Sequence, residues 1–472
     1  MRALRKMRAL QRCYPTCMTQ ERKPGIFINT LYFAEGLPYT IVNMMSTVLF
    51  KSLGADNVFI GHTSLLSLPW ILKFAWSPLV DLYSTKRSWV VVAEFVLAVL
   101  IAILAAVIFI SHGQQLAAFL LALVAVLALI ALASSTHDVS IDGFYLDALN
   151  AEQQALFVGI RNTAYRVSMI FGSGGMVFLA GELGKQYGLH TGWYAAFVIC
   201  AFAMAACAIF HRHYLPRIQR AESVPRFTGT MPDRVREFFG AISTYFQQPS
   251  IGAIVFYILV FRLGDAFMLK QAPNFLLDPP ARSGLGISVA DMGIVTGTVG
   301  VIALLLGGIL ASWLISKDGL KRWMWPFALF QNSAILFYWM LAQAPQVFAY
   351  GHSAFFDNPF LPAVYVVNSI EQLAYGMGTT AYTVFLLTTV KSEYKAAHYA
   401  TATALMAFGL LLPQYVSGDL YKMLGYANFF LVSFFASLPG IVAIFFLPIW
   451  KESPGGNTDG ISQTGEVGSE GQ

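Results

Sequence analysis

The stretch Ser134 to Leu149, SSTHDVSIDGFYLDAL, places three carboxylates inside a segment otherwise built for lipid. Asp138 and Asp142 are four apart, so on a helix they stand one above the other on a single face, with Tyr145 extending the stripe. Asp147 lies nearer the end. The preceding run, Leu116 to Ala133, is apolar enough to enter a bilayer core. Carboxylates at such depth persist mainly where they face a water-filled cavity or a cation, which marks a path for solute or proton. The next apolar segment carries Arg161 and Arg166, and the expectation is that these acids meet Arg166 in a wet cavity.

Other segments offer groups of the same kind. In the first apolar run Asn29, Tyr32, Gly36, Tyr39 and Asn43 recur at helical spacing, with Glu35 at the border and Gly36 and Pro38 weakening the helix. This predicts a bent helix lining a cavity, against the alternative of a plain packing stripe. A second stripe, Asn368, Gln372, Tyr375, Thr379 and Tyr382 with Glu371 beside it, would form the opposing wall. Asn162 and Tyr165 flank the two arginines. Lys73 could pair with Glu35 or with Asp142, or simply extend to the membrane surface. Arg262 and Asp265 are three apart and could neutralise each other; Lys270 follows further along the same segment. Asp81, Lys86, Arg87, Asp147 and Arg161 lie near helix ends and suit gating ion pairs, with a purely structural pairing as the alternative.

Arginine forks bind carboxylate or phosphate bidentately, and neighbouring aromatic rings can stack on sugars, so an anionic, partly cyclic solute fits this set. For proton coupling the candidates are Asp138, Asp142 and Glu35, since burial and a nearby cation pull a carboxyl group in opposite directions. No enzyme signature competes. His137 beside Asp138 is not a dyad, because helix neighbours point about 100° apart. Cys13 and Cys17 lack partners that would complete a metal site, so neither metal nor cofactor is expected.

The elements that must position these groups are membrane helices. Of 472 residues 57% are hydrophobic and 12% charged, against about 25% charged in an average soluble domain. Apolar segments fall at about 25–50, 57–81, 88–111, 115–148, 155–183 and 191–213, and again at 250–277, 287–316, 321–343, 359–390, 394–424 and 426–449. This predicts an all-α polytopic protein of twelve spans in two six-helix halves, 26–213 and 250–449. A basic tail (1–25), a basic linker (214–249) and a Gly- and Ser-rich disordered tail (450–472) complete the chain. Two halves of six about a midplane site is the layout of the major facilitator superfamily. Of the 30 Lys and Arg, 21 fall on the side of the termini and linker, which places both termini in the cytoplasm.

KFAWSPLVD (Lys73 to Asp81), HDVSIDGFYLDAL (His137 to Leu149) and EGLPY (Glu35 to Tyr39) resemble the signatures of AmpG-like muropeptide permeases and the related acetyl-CoA transporters. The resemblance covers most of residues 27–180; beyond 250 it is one of topology. It implies the major facilitator fold and proton-driven import of anhydromuropeptides across a bacterial inner membrane, with Asp138, Asp142 and Asp147 on the family's three aspartates. Tyr165 and Arg166 are similar to the permeases, whereas IDGFYLDAL is similar to the acetyl-CoA branch, and His137 stands where both have glutamine. An acetyl-CoA-like nucleotide or a siderophore is therefore the alternative solute, and a non-transporting receptor the alternative class. A monomer is expected, with no nucleic-acid partner.

Overall fold

The computed structural model describes residues 23–77, 80, 84–110, 116–217, 240, 242–343, 345–348, 358–390 and 395–450. The basic tail to residue 22, most of the linker, the tail from 451, and Asp81 lie outside the described residues.

Every described element is helical. α1 runs through Pro24–Thr40, a π-helical turn at Ile41–Met45, and Ser46–Ser52. α2 covers Asn57–Ala75, α3 Lys86–Ile110 and α4 Leu116–Ala148. α5 begins at Ala151, behind a capping box in which Asn150 and Gln153 satisfy each other's backbone amides, and reaches Tyr187 through a π turn at Ile170–Met176. α6 is Leu189–Tyr214. The second half holds α7 (Ile251–Leu277), α8 (Val289–Asp318, with a π turn at Val295–Gly300), α9 (Leu320–Gln343) and α10 (Leu361–Thr388). A final 49-residue helical stretch, Lys395–Ala443, breaks at Gly425, whose φ of 70° no helix accommodates. That break separates α11 (395–424) from α12 (426–443).

Alternate helices therefore start on opposite membrane faces. The face where α1 begins is called the amino-terminal face below. The halves meet chiefly at the other face, where glycines let backbones touch. A Cβ added to Gly297 of α8 would fall 2.0 Å from the Ser173 carbonyl oxygen of α5. The π turns of α1, α5 and α8 gather at this seam: Gly172 lies against Thr40 and Met45, and Gly174 against Gly297 and Thr298. π turns widen the backbone and frequently mark functional positions in helices. Pro38 is accommodated inside α1, a few residues before its π turn.

Also at the opposite face, Lys51 donates to Asp278 Oδ2 at 2.7 Å and to Asn57 Oδ1 at 2.6 Å. Tyr426 donates to the same Asp278 oxygen at 2.5 Å, and the Asn57 amide donates to the Tyr426 hydroxyl at 2.8 Å. This buried network ties α1 and α2 to the end of α7 and to α12. His62 stacks on Tyr415 beside it, and Gln271 donates to the Asn57 carbonyl.

Candidate functional site

Two polar centres occupy the interior, and they share helices. The first lies within the amino-terminal half. Glu35, Asp138 and Asp142 present oxygens within 4.8 Å of one another, from α1 and two successive turns of α4. Lys73, at the far end of α2, donates to Asp138 at 2.7 Å. Arg161 of α5 lies 3.6 Å from Asp142 and donates to the Tyr32 hydroxyl at 3.0 Å, while that hydroxyl donates to Asp142, also at 3.0 Å. The Arg161 guanidinium also stands over the rings of Tyr32 and Tyr145, 5.1 and 5.3 Å from their centres. Three carboxylates at this spacing have the composition of a cation site, and the cations they hold are Lys73 and Arg161. Among the described residues Glu35 is the member without an ion pair, and its Oε2 is buried with no hydrogen-bond partner.

The second centre is a cavity of about 1180 Å³ between the halves. Tyr39 and Asn43 of α1 and Asn162, Tyr165 and Arg166 of α5 line one side; Arg262 and Lys270 of α7 and Asn368, Glu371, Gln372 and Tyr375 of α10 line the other. Its lining runs out to Gly159, Ser312, Thr383 and Met406, toward the amino-terminal face, while the seam closes the opposite end. Arg166 contacts the Met169 sulfur at 3.2 Å and, among the described residues, has no carboxylate within ion-pair distance. Arg262 is engaged differently. It donates to the Tyr375 hydroxyl and lies 3.8 Å from Asp265, which in turn accepts from Gln331.

Several expectations are corrected by this arrangement. The acids of α4 meet Lys73 and Arg161, not Arg166: helical spacing fixes a shared face but not which neighbour looks onto it. Lys73 takes Asp138 rather than Glu35 or Asp142. The first stripe divides: Asn29 is exposed and donates back to the Gly25 carbonyl, Tyr32 joins the carboxylates, and only Tyr39 and Asn43 reach the cavity. Tyr382 is core, its ring stacked on Phe261 and its hydroxyl donating to the Ile258 carbonyl. Tyr145 is likewise buried, its hydroxyl donating to the Gln154 carbonyl, so it braces the α4–α5 turn. Asn368 lines the cavity but spends its amide on the Val295 carbonyl.

Of the gating candidates, Arg87 donates to the carbonyls of Leu215 and Arg212, and so ties α3 to the end of α6 within one half. The stem of Lys86 lies over Gly143, where an added Cβ would come within 2.8 Å of it, and Asp147 is exposed. Arg161 too has its partners within its own half.

Lys270 and Glu371, noted in the sequence only as charges beside other candidates, both line the cavity. Sequence reading missed a buried cluster in the first half: His211 Nδ1 lies 2.6 Å and His137 Nε2 3.3 Å from Glu94 Oε1, and His211 Nε2 is 2.8 Å from the Thr30 hydroxyl. It joins α1, α3, α4 and α6 next to Asp138.

Helical halves facing each other across a large cavity that carries polar and charged groups, is sealed at one membrane face and is lined toward the other define a membrane transporter. The chain matches the Major Facilitator Superfamily model over residues 28–356, and it belongs to that family of secondary transporters. It is 27% identical over 421 residues to the anhydromuropeptide permease of Escherichia coli K12, covering 88% of this chain and 77% of that one. Among solved structures it is similar to a D-xylose–proton symporter, with a TM-score of 0.66 at 13% identity over 91% of this chain and 97% of that one. It is also similar to a bacterial homologue of the human lysosomal transporter Spinster in an inward-facing, unoccupied conformation, with a TM-score of 0.61 at 14% identity over 91% and 98%.

Proposed function

We propose that this chain imports anionic anhydromuropeptides across a bacterial inner membrane by alternating access, driven by proton entry, with both termini cytoplasmic. The observation that carries the reading is Arg166: a guanidinium facing a solute-sized cavity with no carboxylate of its own among the described residues, in a chain similar over most of its length to a permease of that name. A half-buried guanidinium facing the cavity without an anion is a ready partner for one, and an anionic solute supplies it. Tyr39, Tyr165 and Tyr375 offer ring faces, and Asn43, Asn162 and Gln372 offer amides, as sugar and peptide groups require. The volume lies above the roughly 300–1,000 Å³ of pockets for drug-sized ligands, in keeping with a sugar that bears a peptide. The excess of Lys and Arg on the amino-terminal face supports placing that face in the cytoplasm, so that this conformation faces inward.

Proton coupling is read from charge balance. Glu35, Asp138 and Asp142 oppose Lys73 and Arg161, so one added proton neutralises the cluster, and Glu35, without a cation in contact, is the carboxylate to carry it. The test is uptake of radiolabelled anhydromuropeptide into proteoliposomes with an imposed inward proton gradient. Wild type should accumulate label above equilibrium. Glu35→Gln should lose accumulation yet retain exchange of label against internal unlabelled solute. Gradient-driven accumulation at the wild-type level in Glu35→Gln would remove Glu35 from the coupling step, and failure of wild type to accept the solute would remove the substrate assignment.

A further inference from the structure

Lys270 is not accounted for by the reading above. It is 4% exposed, lies on α7 two turns from the end at the sealed face, and lines the central cavity. Its ammonium has no carboxylate within ion-pair distance among the described residues. Its contacts are two long ones across the interface between the halves, 3.3 Å to the Thr47 hydroxyl of α1 and 3.4 Å to the Thr63 hydroxyl of α2. Thr63 already donates to the Ile60 carbonyl at 2.7 Å, so it offers the ammonium a lone pair and nothing stronger. Of the acids along its own segment, Asp265 is taken by Arg262 and Gln331, and Asp278 at the end by Lys51 and Tyr426. A desolvated ammonium held by two weak neutral contacts is an incomplete site, because burial of a lone charge costs several kcal/mol unless an anion or good hydrogen bonds offset it.

We propose that Lys270 is a second anion-binding group, at the sealed end of the cavity, and that the transported solute therefore carries at least two separated anionic groups. This rests on the reading of the cavity as the solute site. Arg166 takes one group from the α5 side and Lys270 takes the other, a carboxylate or a phosphate. Arg166 is about six turns from the end of α5 at the sealed face, against about two for Lys270 on α7. The two cations thus sit at different depths and on different halves, which selects for an elongated solute with charge at both ends. The anion at Lys270 also exchanges contacts that now run from the second half to Thr47 and Thr63 for contacts to the solute. Occupancy of that end is thereby linked to how firmly the halves hold together at the seam.

Two measurements test this on the purified full-length protein. In the first, thermal unfolding in detergent is followed while inorganic phosphate replaces chloride at constant ionic strength. Phosphate should raise the midpoint of wild type, and Lys270→Gln should weaken the apparent affinity about tenfold or more, as loss of a charge-assisted contact to a buried group predicts. Lys270→Arg should retain the response. An unchanged response in Lys270→Gln overturns the proposal, as does a wild type that phosphate does not stabilise. In the second, proteoliposome exchange compares an anhydromuropeptide with the analogue amidated at its peptide carboxylates. Wild type should prefer the acid through both cations, and Lys270→Gln should prefer it about tenfold less than wild type does; an undiminished preference in Lys270→Gln refutes the role. If wild type exchanges neither compound the muropeptide reading fails, and the phosphate titration still decides for or against Lys270 as an anion site.

Discussion

Asp278→Asn removes one charge from the network that joins the halves at the sealed face, and the structure sets the size of the effect. The side chains of Lys51 and Asp278 are 6% and 3% exposed, so the closed seam holds a desolvated pair. Removing one partner of a buried pair typically costs 3–5 kcal/mol, because the other charge stays buried, whereas an exposed pair is worth about 0–1 kcal/mol. Once the seam opens, Lys51 reaches water and the penalty disappears. Asn57 still accepts from Lys51 in the variant, so the lower end of the range applies. The closed seam should therefore lose about 2–3 kcal/mol relative to the open one, a shift of about 30- to 150-fold in the ratio of the two conformations. Spin labels at Gln186 and Ala281, both exposed near this face on opposite halves, report the change as a distance distribution in a background lacking Cys13, Cys17, Cys200 and Cys207. Wild type should populate a short distance and Asp278→Asn a longer one. Exchanging the charges, Lys51→Asp with Asp278→Lys, should restore the short distance. An unaltered distribution in Asp278→Asn would refute the claim that this network holds the seam.

Arg166→Ala should abolish anhydromuropeptide uptake, by at least about a hundredfold for loss of a charged contact of about 3 kcal/mol, with an unchanged thermal midpoint because no ion pair is broken; transport near the wild-type rate would exclude it as a solute contact. Gly297→Ala places a methyl group 2.0 Å from the Ser173 carbonyl, which backbone cannot yield without parting α5 from α8. The same spin-label pair should then report an open seam and uptake should stop; a short distance with normal uptake would show that the seam tolerates the added methyl.

What the sequence discloses and withholds divides along a physical line. Hydropathy is a property of each segment alone, so the spans and the break near Gly425 can be read from it. The carboxylates of α4 and the polar stripe of α10 are also local patterns, visible at a spacing of three and four. Facing relations are not local. Asp138 finds Lys73 across 65 positions and Lys51 finds Asp278 across 227, and nothing in either segment names the partner. Tyr382 misleads for a related reason. It continues the periodicity of Asn368 and Tyr375, but the helix face it shares with them passes from the cavity into the packing against α7, so the same spacing yields a lining residue at one end and a core residue at the other.

The sharing of helices between the two polar centres bears on how a proton in one could matter to a solute in the other. α1 contributes Tyr32 and Glu35 to the carboxylate cluster and, one and two turns on, Tyr39 and Asn43 to the cavity. α5 contributes Arg161 to the cluster and, five residues later, Arg166 to the cavity. A helix segment that short moves as a rigid unit, so a shift of α5 that alters the Arg161–Asp142 contact also re-aims Arg166. Tyr39 and Tyr165, whose rings lie 6.0 Å apart, couple the same two helices between the centres. Both helices then reach their π turns and the glycine seam with α8. Charge balance in the cluster, the aim of the cavity arginine and the fit of the seam are therefore set by the same pair of helices, and no separate relay between the sites is required.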